Sequence, residues 1–271
     1  MDTQTRPDTT LDRFLGGRIL VRQPTAGYRA GLDAVLLAAA VPASGGAMLD
    51  LGAGVGTAGL CVAARLPHVR VTLLERAPVL AALARENVAA NTLSARITVL
   101  EADATGRWSD LAAAGLAREH YAHVIANPPY HQEEAGTVAP SDLKARANHM
   151  KEGALEGWAR TLATAAAGGG SLALIYRADG LGSILEVLDR RFGALSVLPV
   201  LPKAGEDAIR IIVRGVKGSR APLRLCAPLI LHEDDGAFRD EIAAVLREGA
   251  PLPEPHRPTP RRGSAPHGSG E

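Results

Sequence analysis

Ala47-Met48-Leu49-Asp50-Leu51-Gly52-Ala53-Gly54-Val55-Gly56-Thr57 begins as an apolar run of strand length, breaks into alternating glycines and leads into the apolar stretch 58–66. This order predicts a buried strand, a glycine-rich turn and a helix. In such a unit the N–H groups of the turn and the helix N-terminus can approach a polar ligand closely. The spacing resembles a dinucleotide fingerprint, but Thr57 stands where the third glycine of G-x-G-x-x-G belongs. The next predicted strand, 69–74, ends in Glu75, 21 residues after Gly54. A carboxylate there is placed to accept hydrogen bonds from both hydroxyls of a ribose. A helix over 78–91, with Pro78 at a position that tolerates it, precedes a strand over 96–100 that ends in Glu101-Ala102-Asp103. Acidic groups therefore recur at the ends of successive strands.

Further along, the apolar strand 121–126 runs into Asn127-Pro128-Pro129-Tyr130. Two prolines cannot continue a ladder, so the chain leaves the sheet here in a stiff, extended form. Asn127 offers a side-chain carbonyl and Pro128 a main-chain carbonyl, two acceptors for the hydrogens of a planar –NH2 group. Holding both N–H bonds favours the pyramidal nitrogen whose lone pair can attack an electrophile, and Tyr130 can stack on a flat substrate. A proline-stiffened turn begun by Asn explains the tetrapeptide without any chemistry. The acids and glycines upstream favour the chemical reading.

Composition narrows the classes. The 271 residues are 46% hydrophobic and 22% charged, with a formal net charge of +1. That balance predicts a globular chain with ample core material, and any nucleic-acid signal has to be local. The two cysteines, Cys61 and Cys226, form neither a disulfide framework nor a zinc spacing, and the eight histidines are scattered. We therefore expect no metal and a reducing cytoplasm, and, because no apolar run reaches about 18 residues, no membrane span. Residues 1–10 and the proline-rich 251–271 are expected to be disordered around a single domain, 11–250. In the tail Arg257, Arg261 and Arg262 could brush RNA.

Upstream of the opening strand, Leu15-Gly16-Gly17-Arg18 sits inside a predicted hairpin over 11–24. Gly27-Tyr28-Arg29-Ala30-Gly31 then opens a helix over 32–41, with Asp33 in its first turn. An acid there complements the helix dipole as readily as it binds a ligand. Leu49–Gly56 resembles motif I of class I S-adenosylmethionine-dependent methyltransferases. Asn127–Tyr130 resembles the motif IV with which such enzymes methylate amino or amide nitrogens, and the N-terminal hairpin and loop are similar to bacterial tRNA(Val) adenine-N6 methyltransferases of the small-methyltransferase family.

The resemblance implies a Rossmann-like α/β fold, a seven-stranded, mostly parallel sheet with an antiparallel last strand, preceded by the β-hairpin. It implies S-adenosylmethionine held by Arg29, Asp33, Asp50, Gly52, Ala53, Gly54, Gly56, Glu75, Arg76, Asp103, Ala104 and Asn127. Of these Asp33 lies near the methionine end, Glu75 takes the ribose and Asp103 contacts the adenine. Asn127, Pro128, Pro129 and Tyr130 carry the transfer, and the implied acceptor is N6 of an adenine in tRNA.

The second half is expected to complete that sheet. Helices are predicted over 155–167 and 181–192, the latter stopped by Gly193, with a strand over 171–176 between them. A final antiparallel pair is expected over 195–201 and 208–213, then a β-like run over 223–231 and a helix over 238–246. Lys203, Arg210, Arg214, Lys217, Arg220 and Arg224 form a local basic stretch, either a solvated face or a phosphate-binding one. Of these Lys203, Arg210, Lys217 and Arg220 join Lys144, Arg146 and His149 of the loop after Tyr130 as candidate RNA contacts. Competing assignments are protein-glutamine N5 methylation, ribosomal guanine-N2 methylation and a non-catalytic RNA-binding adaptor. A nicotinamide dehydrogenase is disfavoured by Thr57 and by the proline pair. A monomer is expected.

Overall fold

The computed structural model describes residues 8–27, 29–129 and 141–253, and for residues 141–152 the backbone alone. The chain opens with an antiparallel hairpin, β1 (Thr9–Phe14) and β2 (Ile19–Pro24). The hairpin starts at Thr9, so the expected disorder over 1–10 is corrected at its end: Thr9 and Thr10 pair with Pro24 and Gln23. After α1 (Leu32–Ala39), strand and helix alternate as β3 (Gly46–Leu51), α2 (Thr57–Arg65), β4 (Val69–Glu75), α3 (Pro78–Ala90) and β5 (Ile97–Glu101). Next come a short α4 (Trp108–Ala113), which lies outside every helix the sequence predicts, and then β6 (Tyr121–Ala126). The second half holds α5 (Ser141–Ala165), β7 (Ala166–Arg177), α6 (Leu181–Leu188), β8 (Phe192–Leu201) and β9 (Arg210–Lys217). Two short strands, β10 (Arg224–Leu225) and β11 (Leu229–Ile230), precede α7 (Asp240–Glu248).

The main sheet has the order β5-β4-β3-β6-β7-β9-β8-β10, with β11 also on β8. Strand β9 is antiparallel to both of its neighbours and the other pairings are parallel. The seven expected strands form the body, and β10 and β11 lengthen one edge. Alternating side chains serve two cores. Met48 and Ile125 face α1, α2, α3 and α7, whereas Leu49, Leu51, Val124 and Ala126 face α4, α5 and α6. Strands buried on both faces are why these segments read as continuous apolar runs.

Two side-chain amides, Asn87 buried and Asn91 half-buried, seat the hairpin. Asn87 of α3 accepts from the Arg22 N–H and donates to the carbonyls of Arg22 and Val55, and Asn91 makes the same paired bonds with Leu20. The hairpin is thereby fixed beside the turn that follows β3.

Several expected boundaries are corrected. The helix expected over 181–192 ends at Leu188, because Asp189 is extended and Arg190 adopts φ 62°. Gly193 is no helix stop: it lies within β8, where a Cβ would sit 2.0 Å from the Ser219 carbonyl oxygen. The run over 223–231 is interrupted by Pro228, leaving two separate two-residue strands. The expected disorder of the tail starts too early at 251, since Leu252 is buried and its N–H donates to the Ala39 carbonyl.

Candidate functional site

The chain runs outward from β3 to β4 and β5, then returns to place β6 on the other side of β3. That reversal opens a crevice at the carboxyl ends of β3 and β6, where open α/β sheets bind ligands. The turn Gly52–Gly56 leaves β3 on one side and Asn127–Pro129 leaves β6 on the other.

Gly52, Gly54 and Gly56 have φ of 69°, 58° and 88°, which L side chains rarely adopt. The amides of Gly52 and Ala53 both donate to the Leu74 carbonyl, at 2.8 and 2.9 Å, so the turn is pinned to the end of β4. The neighbouring Gly54 amide donates to Glu75 Oε2 at 2.9 Å, and the Ala77 amide donates to Oε1 at 2.8 Å. Glu75 is 8% exposed and held in one orientation. Each carboxylate oxygen has a second lone pair, so the side chain fits the ribose-binding task.

Asp50 is buried below the turn and accepts from the Gly59 amide at 3.0 Å. Burial pushes its pKa from the ordinary 3.8 to about 7, the Gly59 bond pulls the other way, and the charge of Glu75 raises it. The fold thus favours the protonated form. Its stabilising contribution is full below the ordinary carboxylate range and lost as pH rises through about 7. Asp50→Asn should remove that decline, on the order of a few kcal/mol for a shift of this size. Chemical denaturation of both proteins across pH 4–8 checks it; parallel stability curves would show that Asp50 stays ionised.

Asp103 follows β5. Its burial pushes the pKa upward but is outweighed by the amide and hydroxyl of Thr105 on Oδ1 and by Arg76, leaving it below the ordinary value. Arg76 stands 3.7 Å away, with Asp103 half-exposed, so the pair is a screened surface interaction. The adjoining Ala104 carbonyl accepts from Thr161 of α5 at 2.7 Å, which fixes the loop beyond Asp103.

Other expected contacts are partnered differently. The Arg29 guanidinium is 2.6 Å from Asp12 of the hairpin and also donates to the Pro24 carbonyl, so it buttresses the hairpin. Asp33 is more than a helix-dipole acid: it pairs with Arg210 Nε at 2.9 Å. The basic stretch divides, which corrects its reading as one patch. Arg210 starts β9 at the carboxyl end of the parallel strands, whereas Lys217 ends it at the opposite end, where it donates to the Ala166 carbonyl and meets Glu119. Arg220 lies beyond Lys217, away from the crevice. Lys203 donates to the Asp234 carbonyl. Asn127 is half-buried and Pro128 buried. Tyr130 and the side chains of Lys144, Arg146 and His149 lie outside the described residues, as does Tyr28.

Trp158 is a site neighbour that the sequence reading missed. A Cβ on Gly52 would lie 2.1 Å from its indole ring, and only helical periodicity on α5 could have pointed to it. Gly52→Ala should therefore combine the left-handed φ penalty with overpacking, on the order of 2–5 kcal/mol together. A clear drop in Tm is expected; an unchanged Tm would mean that the ring is not seated on Gly52.

The amides of Gly52, Ala53, Gly54 and Gly56 are taken up within the protein and hold the turn in shape, which leaves the carboxylates of Glu75 and Asp103 at the strand ends as acceptors of the kind that an adenosine with two ribose hydroxyls requires. Among the described residues no group of three or more His, Cys, Asp or Glu could hold a metal ion, and no helix is long and apolar enough to cross a membrane.

Residues 30–156 match the family model described as the methyltransferase small domain. A curated tRNA1(Val) (adenine(37)-N6)-methyltransferase from Shewanella amazonensis is 38% identical over 45% of this chain and 49% of its own length. A release factor glutamine methyltransferase from Moorella thermoacetica is 33% identical over 58% of this chain and 55% of its own. The chain thus spans about half the length of the curated relatives it matches. The crystal structure of protein Atu636 from Agrobacterium tumefaciens, described as a predicted O-methyltransferase, is 39% identical. Its TM-score is 0.67, with 79% of this chain and 94% of that one covered.

Proposed function

Because the chain belongs to the S-adenosylmethionine-dependent methyltransferases with a methyltransferase small domain, we propose that it methylates an exocyclic nitrogen of an RNA base, N6 of adenine in the anticodon loop of tRNA(Val). The observation that carries this reading is the Asn127-Pro128 rim at the end of β6, directly across the crevice from the Gly52–Gly56 turn. The relatives named for tRNA1(Val) adenine methylation supply the substrate.

When bound, S-adenosylmethionine supplies a methyl group on a positively charged sulfur, already activated for displacement. Gly52–Gly56, Glu75 and Asp103 would hold its nucleoside portion, and Asp33 its amino-acid end. The carbonyl groups of Asn127 and Pro128 accept the two N–H bonds of the acceptor amine and aim its lone pair at the methyl carbon. Transfer of that methyl to the held nitrogen would leave the amine with one surplus proton, which it would shed to solvent. Positioning in line is the main contribution the protein makes. A purine in a single-stranded loop costs less to unstack into the crevice than one in a duplex.

Glutamine N5 methylation is the second reading, favoured by the release-factor relative, because an amide –NH2 presents the same two hydrogens to Asn127. Incubation of the protein with labelled S-adenosylmethionine and, separately, RNA or protein from cells lacking the gene distinguishes them. The expected label is N6-methyladenosine in the tRNA fraction; label confined to protein would replace this reading with the second.

A further inference from the structure

Two arginines meet at the mouth of the crevice. The β6–β7 register pairs Ala126 with Leu174, and the β7–β9 register pairs Ile175 with Ile212 and Arg177 with Arg210. Side chains two residues apart share a face, so Arg177 and Arg210 stand on the face of Ile175 and Ile212, which packs against α1. Continuing the β6 alternation from Ile125 puts Asn127 on that face as well. The ion pair between Arg210 and Asp33 of α1 agrees with this placement.

Like charges directly opposite on an antiparallel pair repel. Here each guanidinium faces a carboxylate: Arg210 Nε meets Asp33 at 2.9 Å, and Arg177 meets Asp179 through Nε at 3.0 Å and through Nη2. Arg177 grips Asp179 through two bonds, the fork geometry in which arginine also takes phosphate, and Arg210 makes a single Nε bond to Asp33. Both side chains reach solvent, at 45% exposure for Arg177 and 29% for Arg210. Of the cations in 203–224 that the sequence singled out, Lys217 and Arg220 lie at the other end of the sheet.

We propose that Arg177 and Arg210 form a phosphate-binding pair that takes the backbone phosphate beside the nucleotide entering at Asn127. This rests on the RNA reading above. A phosphodiester brings its negative charge to two guanidiniums and fixes the strand while the base turns inward.

The test is binding of tRNA from cells lacking the gene to the full chain over a range of KCl concentrations, with cofactor affinity measured in parallel. Arg177→Ala and Arg210→Ala should each weaken RNA binding roughly tenfold and lower the slope of log K against log[KCl] by about 0.7–0.9. Arg177→Lys should keep most of the slope, and Lys217→Ala should change neither quantity. Arg177→Ala is the cleaner variant, since its partner Asp179 is exposed and outside the cofactor set. Wild-type affinity and slope in Arg177→Ala, in a protein whose wild type methylates RNA, would overturn this inference alone. A wild type that methylates only protein would overturn both it and the RNA reading.

Discussion

Asn127→Ala should lower kcat for methyl transfer by roughly 10²–10³-fold, the range found when one preorganised polar contact to the reacting group is removed. Cofactor affinity should stay within a few-fold of wild type. The side chain is half-buried on a rim stiffened by Pro128 and Pro129, so truncation leaves the backbone carbonyl of Pro128 in place. It removes one of the two acceptors that orient the attacking nitrogen. Loss of kcat with cofactor binding retained identifies an interaction used mainly in the transition state. Single-turnover kinetics with saturating cofactor provide the measurement, and near-normal turnover would remove Asn127 from the reaction.

Glu75→Ala should act on the other side of the crevice. Its carboxylate accepts from the amides of Gly54 and Ala77, and removal leaves both donors without that partner in a largely buried site. The turn after β3 would loosen and the ribose would lose its acceptor, so cofactor Kd should rise roughly 10- to 100-fold, as expected for a lost hydrogen bond to a charged group. Glu75→Gln keeps one acceptor oxygen and should fall between. Isothermal titration with S-adenosylhomocysteine separates these cases; an unchanged Kd in Glu75→Ala would place the ribose elsewhere.

The parallel half of the fold was legible because each unit carries its own local signals. An apolar run, a glycine or acid at its end and a helix with apolar periodicity mark β3 and β4; an apolar run ending in an acid marks β5, and one ending in Asn-Pro-Pro marks β6. Gly193 misled because a glycine after a helical pattern usually stops a helix, whereas here it admits the Ser219 carbonyl. The same limit governed the site. Asp50, Glu75, Asp103 and Asn127 announce themselves at strand ends, but partners far apart in sequence do not. Asp33 and Arg210 are 177 residues apart, and Trp158 reaches Gly52 from a helix whose periodicity can mark a buried face but not the partner it meets. The pairing of Arg29 with Asp12 of the hairpin, 17 residues upstream, was equally invisible. The basic stretch looked continuous because sequence does not reveal that β9 runs the height of the sheet, with Arg210 at the carboxyl end of the parallel strands and Lys217 at their amino end.

The account turns on methyl transfer to adenine N6 in tRNA at the Asn127 rim. Nucleoside mass spectrometry of purified tRNA(Val) from cells lacking the gene, with and without the wild-type or Asn127→Ala protein restored, tests it most directly. The account predicts that N6-methyladenosine disappears on deletion, returns with the wild type and does not return with Asn127→Ala. An unchanged N6-methyladenosine content in the deletion, or its full return with Asn127→Ala, would contradict it.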